Sequence, residues 1–127
     1  MKLPDPGRLR GPEAAVLRQK KYAALRSLRV PEDGLPGSLA LTHRRCGKST
    51  CRCADPSQPA HPQWLLTFMV DGRKHVESVP AEWVEDVQRR VAAGRAARDA
   101  LEDVLTANAQ LLGLQRRARV RKRRKRG

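Results

Sequence analysis

Between Pro12 and Arg29, apolar residues recur at helical spacing. Leu17, Ala24 or Leu25, and Leu28 fall on one side, and Arg18, Lys20, Lys21, Arg26 and Arg29 occupy the others. The pattern predicts a basic amphipathic helix over residues 12–30. Pro12 suits a first helical position, Glu13 suits the positive end of the helix dipole, and Val30-Pro31 stops the element. Residues 1–11 are rich in Pro and Gly and are expected to be flexible. The run "PEDGLPG" after the helix reads as a turn-rich linker.

The period then changes. In "SLALTHR", residues 38–44, Leu39, Leu41 and His43 face one way, and Ala40 and Thr42 face the other, which predicts a short strand. "WLLTFMV" and "RKHVESV" flank Asp71-Gly72, a strong signal for a two-residue hairpin turn. The first arm, Trp64–Val70, is apolar on both faces and is expected to be central. Val79-Pro80 ends the sheet, and Glu82, Glu85 and Asp86 open a long helix at its favourable end. Val84, Val87, Val91, Gly94, Arg98, Leu101, Leu105, Asn108 and Leu112 follow alternating spacings of 3 and 4, an imperfect heptad seam. A helix unbroken to Leu114 would span roughly 50 Å, with a bend expected at Gly94 and Arg98. Its seam must meet the first helix or a second subunit, so a homodimer through residues 84–112 is one arrangement the pattern allows.

The expected fold class is therefore α+β. An N-terminal helix precedes a three-stranded antiparallel sheet carrying a cysteine loop, and a long C-terminal helix follows. The sheet and helix would occupy residues 37–114, and residues 115–127 would form a disordered basic tail.

Composition sharpens this picture. The chain has 127 residues and a net charge of +14, but nine Lys/Arg and no Asp/Glu lie in residues 116–127. Residues 81–115 hold four basic and six acidic residues. Only four aromatics occur, Tyr22, Trp64, Phe68 and Trp83, so the core is small, and small cores often need a metal, disulfides or a partner. No apolar run is long enough to span a bilayer, and "MKLPDPGRLRGP" lacks the apolar core of a signal peptide. A cytoplasmic protein, with nucleoid association open to it, is expected, and its thiols would stay reduced.

All three cysteines lie in "RRCGKSTCRCADPSQPAH", with the spacing C-x4-C-x-C-x7-H. Cys46, Cys51 and Cys53 supply soft thiolates that hold Zn²⁺ tightly, and one imidazole would complete a tetrahedral structural site. Gly47 permits a sharp turn, and Lys48 and Arg52 are placed to lower the thiol pKa values. His61, just before the central strand, is the preferred fourth ligand, and His43 is its rival. His75 reads as a hairpin surface residue. An odd cysteine count disfavours a disulfide, and the C-x-x-C spacing of a redox pair is absent. Redox use and unconnected thiols remain the alternatives to a zinc site.

The stretch from Gly37 to Val91 resembles a family of short, uncharacterised prokaryotic proteins. That family carries Cys-Gly-Lys-x-x-Cys-x-Cys, then a His leading into a strand, a hairpin turn, a Val-Pro and a helix. The likeness covers residues 37–113. Cys46, Gly47, Lys48, Cys51, Cys53 and His61 match residue by residue, and the match favours His61 over His43. Pro62, Gln63 and Trp64 replace the family's Gly-Pro-Tyr. The resemblance implies no established activity, and an association of some members with transposon-type genes points toward DNA.

The basic tail comprises Arg116, Arg117, Arg119, Arg121, Lys122, Arg123, Arg124, Lys125 and Arg126. Such a run is expected to bind nucleic acid through phosphates, with a log–log salt slope of about −5 if about six charges engage. Scarce aromatics argue against a single-strand stacking surface. The tail lacks the apolar residues for membrane anchoring. No catalytic residues, small-molecule substrate or organic cofactor are expected. The reading is a non-enzymatic, zinc-stabilised, nucleic-acid-binding accessory protein, and its rival is a protein–protein adaptor working through the helix seam.

Overall fold

The computed structural model of the chain describes Leu3 and residues 5–126. Its elements are α1 (Pro12–Ser27), β1 (Ser38–Arg44), β2 (His61–Val70), β3 (Arg73–Val79) and α2 (Val84–Arg126), with short 3-10 turns at Pro6–Arg8, Arg52–Ala54 and Ala81–Trp83. The chain divides into two compact units. One runs from Pro31 to Arg95, and the other joins the residues up to Val30 with those from Ala96 onward.

The sheet unit has strand order β1-β2-β3, antiparallel throughout. The arm that is apolar on both faces is indeed central. It begins at His61, three residues earlier than the hydrophobic run suggests, because pairing with Arg44 extends the ladder that far. Asp71 (φ 51°) and Gly72 (φ 79°) make the hairpin turn with positive φ at both positions. Leu66, Val79, Val84 and Val91 form the buried core, with Leu35, Leu39, Trp64, Phe68 and Val87 packed against it. One face of the sheet thus closes on the first turns of α2. His75 is exposed and stacks on Phe68, its cross-strand partner, at 5.7 Å between ring centroids.

The linker "PEDGLPG" is tied down against α2. Leu35 donates its backbone N–H to the Arg90 carbonyl at 3.1 Å, and Arg90 also lies 3.5 Å from Asp33. α2 runs through Gly94 and Arg98, where the sequence weakens it, as continuous helix. What Gly94 provides is room, since a Cβ there would come within 2.3 Å of the Leu35 carbonyl oxygen.

In the helical unit, α1 starts with Pro12 in its first turn after Gly11 and ends at Ser27, where Leu28 turns extended. The expected flexible stretch 1–11 falls partly on Met1, Lys2 and Pro4, which lie outside the described residues. Arg8 N–H, however, bonds the Asp5 carbonyl at 3.1 Å, and Leu9 packs with Leu17 against Ala14, Leu111 and Leu114.

Two expectations need correction here. The first part of the heptad seam, Val84, Val87, Val91 and Gly94, packs as expected, but from Ala96 onward the covered stripe lies one residue before the seam. Leu101, Leu105 and Leu112 are exposed at 47%, 56% and 47%, and Asn108 is exposed too. The residues that α2 covers in this unit are Val104, Ala107, Leu111 and Leu114, with Ala97 and Ala100 half-buried. Ala14 and Leu17 of α1 pack with Leu111 and Leu114, and the leucines one position on from the covered stripe are left outside. The second correction concerns the tail. α2 does not stop near Leu114 but continues to Arg126, making 43 residues or about 64 Å. No Pro or Gly follows Gly113 until Gly127. Arg and Lys are good helix formers, and the negative end of the helix dipole favours them. Gly127 lies outside the described residues.

Candidate metal centre

Cys46 follows β1 by two residues, and His61 is the first residue of β2, paired with Arg44. The two strands therefore hold both ends of the loop. Between them the chain makes consecutive tight turns. Cys51 N–H bonds the Lys48 carbonyl at 3.1 Å, Ala54 N–H bonds Cys51 at 3.0 Å, and Gln58 N–H bonds Asp55 at 3.0 Å. Gly47 has φ 79°, and a side chain there would meet nothing within 4 Å. Asp55 caps its own turn by accepting from Ser57 N–H at 3.0 Å, and this bond holds its carboxyl below the usual range.

These turns bring Cys46, Cys51, Cys53 and His61 together, with their ligand atoms all within 4.8 Å of one another. The Cys46 and Cys53 sulfurs are 3.4 Å apart, and Cys51 Sγ lies 3.1 Å from His61 Nε2. Metal–sulfur bonds of about 2.3 Å and metal–nitrogen bonds of about 2.0 Å at tetrahedral angles separate donors by about 3.5–3.8 Å, within the observed span. The four side chains form a group that could hold a metal ion. His43 is left out of the group. It sits on β1 opposite Pro62.

The thiols are not equivalent. Cys53 is buried, Cys51 half-buried and Cys46 exposed. The Cys53 backbone amide, then hydrogen bonds with His61, Cys46 and Cys53, lower the Cys51 thiol from 9.0 to about 6. The Cys46 amide, 3.3 Å from Cys53 Sγ, also lowers Cys53, but burial and the neighbouring Cys46 and Cys51 thiols outweigh it and leave Cys53 raised. Amides and the imidazole, rather than Lys48 and Arg52, activate Cys51.

Arg45 is the residue that the sequence reading passed over. Its guanidinium donates to the Cys53 carbonyl, to the Asp55 carbonyl at 3.2 Å and to the Pro56 carbonyl at 3.5 Å. One side chain thereby fastens the far half of the loop to the strand that leads into it. An arginine beside the first cysteine is a signal only in retrospect, because a surface cation and a loop clamp look alike in sequence.

The family model of a domain of unknown function (DUF6788) matches residues 14–89, more than half of the chain. The chain belongs to this family. The matched segment includes nearly all of α1 and the whole metal loop and sheet, and it ends early in α2. Comparison with curated proteins and with solved structures found no match.

The basic residues expected to meet nucleic acid lie on the last three turns of α2. Arg116, Arg117, Arg119, Arg121, Lys122, Arg123, Arg124, Lys125 and Arg126 are all exposed. None takes part in the ion pairs of the described residues, which join Arg89 and Arg90 to Asp86 and Asp33. Among the described residues, no helix is long and apolar enough to cross a membrane.

Proposed function

We propose that this chain is a non-enzymatic nucleic-acid-binding accessory protein, with a structural zinc ion closing its loop and the basic end of α2 contacting phosphates. The loop chemistry supports zinc. Three thiolates and one imidazole suit its softness and tetrahedral preference, and four protein ligands leave no open position for catalysis. Such an ion would contribute directly to the stability of a sheet whose core is four buried side chains.

One observation carries the nucleic-acid reading. Nine cations occupy Arg116–Arg126, about 15 Å of helix, or roughly one charge per 1.7 Å, which equals the charge density of duplex DNA. On a helix these side chains point to every side, so about six can meet phosphates at once. Salt-titrated binding to DNA and RNA, with and without residues 116–127, tests this. A log–log slope of about −5 that collapses on truncation supports it. Equal, salt-insensitive binding by both forms contradicts it.

The exposed Leu101, Leu105 and Leu112 favour a second reading, an adaptor or homodimer joined through this stripe of α2. Association that survives truncation of the basic end but fails in Leu101→Asp/Leu105→Asp would replace the first reading with the second.

A further inference from the structure

The metal loop carries more positive charge than its own centre can use. Arg44, Arg45, Lys48 and Arg52 all lie within two residues of a cysteine ligand, and Asp55 is the single carboxylate between Ser38 and Val70. Consecutive Cα atoms are 3.8 Å apart, and the ligand atoms converge within 4.8 Å. The four cations are therefore crowded around one small loop. A divalent ion held by three thiolates and a neutral imidazole carries a single net negative charge. That charge and the Asp55 carboxylate together offset only half of the cations.

Arg45 is committed to the loop carbonyls. Arg44, Lys48 and Arg52 are exposed, and their side chains make no ion pair or hydrogen bond among the described residues. Gly47, between Arg44 and Lys48, has φ 79° and open space where a side chain would stand. A bare backbone position flanked by unpaired cations admits a ligand close to the backbone. Phosphate oxygens are the chemistry this suits, since arginine forks and a lysine point charge both take them.

We infer that the metal loop is itself a phosphate-binding face, in which Arg44, Lys48 and Arg52 take the sugar–phosphate backbone of a nucleic acid. The inference rests on the nucleic-acid reading but not on the basic end of α2, which belongs to the other unit. The metal's part is to hold three separately flexible cations in one place.

The test uses the full, metal-loaded chain with Arg44→Gln/Lys48→Gln/Arg52→Gln. Duplex DNA and a single-stranded RNA serve as probes over a salt series. Three lost contacts should flatten the slope by about 2.7 on duplex and about 2.1 on single strand, and weaken binding at least about tenfold at low salt. The probe whose slope falls by its own full expected amount marks the preferred nucleic acid. Arg44→Lys/Arg52→Lys, which keeps the charge, should bind nearly as the natural chain does. Metal content and helical circular dichroism should be unchanged in both variants, which separates lost contacts from lost folding. A neutral variant that keeps its metal and the natural slope overturns the inference. Loss of binding only on removal of residues 116–127 also overturns it and leaves the helix reading standing. Loss only in the loop variant supports the inference and removes the helix reading. No binding by the natural chain removes both.

Discussion

The Leu35 amide bonds the carbonyl of Arg90 at 3.1 Å, and the Leu35 carbonyl occupies the space beside Gly94. One linker residue thus fastens the approach to β1 onto α2 from both sides of its peptide. Gly94→Ala would place a methyl 2.3 Å from that oxygen, so the linker or the helix must shift. The substitution should destabilise the chain by about 1–3 kcal/mol, although alanine is the better helix former. Denaturant unfolding at fixed metal concentration checks this. Stabilisation would show that the linker does not rest there.

Leu111 and Leu105 lie six residues apart on α2 with opposite surroundings, 1% and 56% exposed. Leu111→Ala should cost about 2–5 kcal/mol through a cavity beside Ala14. Leu105→Ala should change monomer stability by less than about 0.5 kcal/mol. A concentration-dependent loss of stability in Leu105→Ala would instead mean that a second copy covers the stripe.

The thiols should react in a fixed order. With metal removed at pH 7, Cys51, lowered to about 6, should alkylate fastest, and buried Cys53, raised, should alkylate slowest. The Cys51 rate should fall about tenfold per pH unit below 6, because the thiolate is the nucleophile. A folded-state value below the ordinary one means that the thiolate form favours the folded chain at high pH and loses that advantage as pH falls through 6. Metal loading should protect all three cysteines. Mass spectrometry of the labelled peptides reads the order, and equal rates would contradict the geometry.

Arg45 should matter to the metal without touching it. Arg45→Gln removes the bonds to the Cys53, Asp55 and Pro56 carbonyls. Metal affinity should fall roughly tenfold, the lower range for residues that orient ligands. Competition with a chromogenic chelator measures it. An unchanged affinity would make the loop self-supporting.

Much of this architecture was legible in the residues. Alternation located β1, Asp71-Gly72 located the hairpin, and the clustering of cysteines located the loop. The central position of β2 followed from its two apolar faces. The displaced seam was not legible. Leu101, Leu105 and Leu112 carry a stronger apolar signal than Ala97, Ala100 and Ala107, yet the stripe through those alanines, with Val104 and Leu111, is the one covered. Periodicity shows that a helix has a face and not which neighbour covers it. The helix from Gln115 to Arg126 was hidden for another reason: charge density argues for repulsion, while helix propensity and the dipole argue the other way. Contacts from Leu35 and Arg45 depend on loop paths that no local pattern encodes.

Metal content measures the central claim most directly. Protein purified reduced, anaerobically and without chelators should contain about one zinc per chain by elemental analysis, and Cys51→Ser/Cys53→Ser should contain none. Natural-sequence protein that is folded yet free of metal under those conditions would contradict the account.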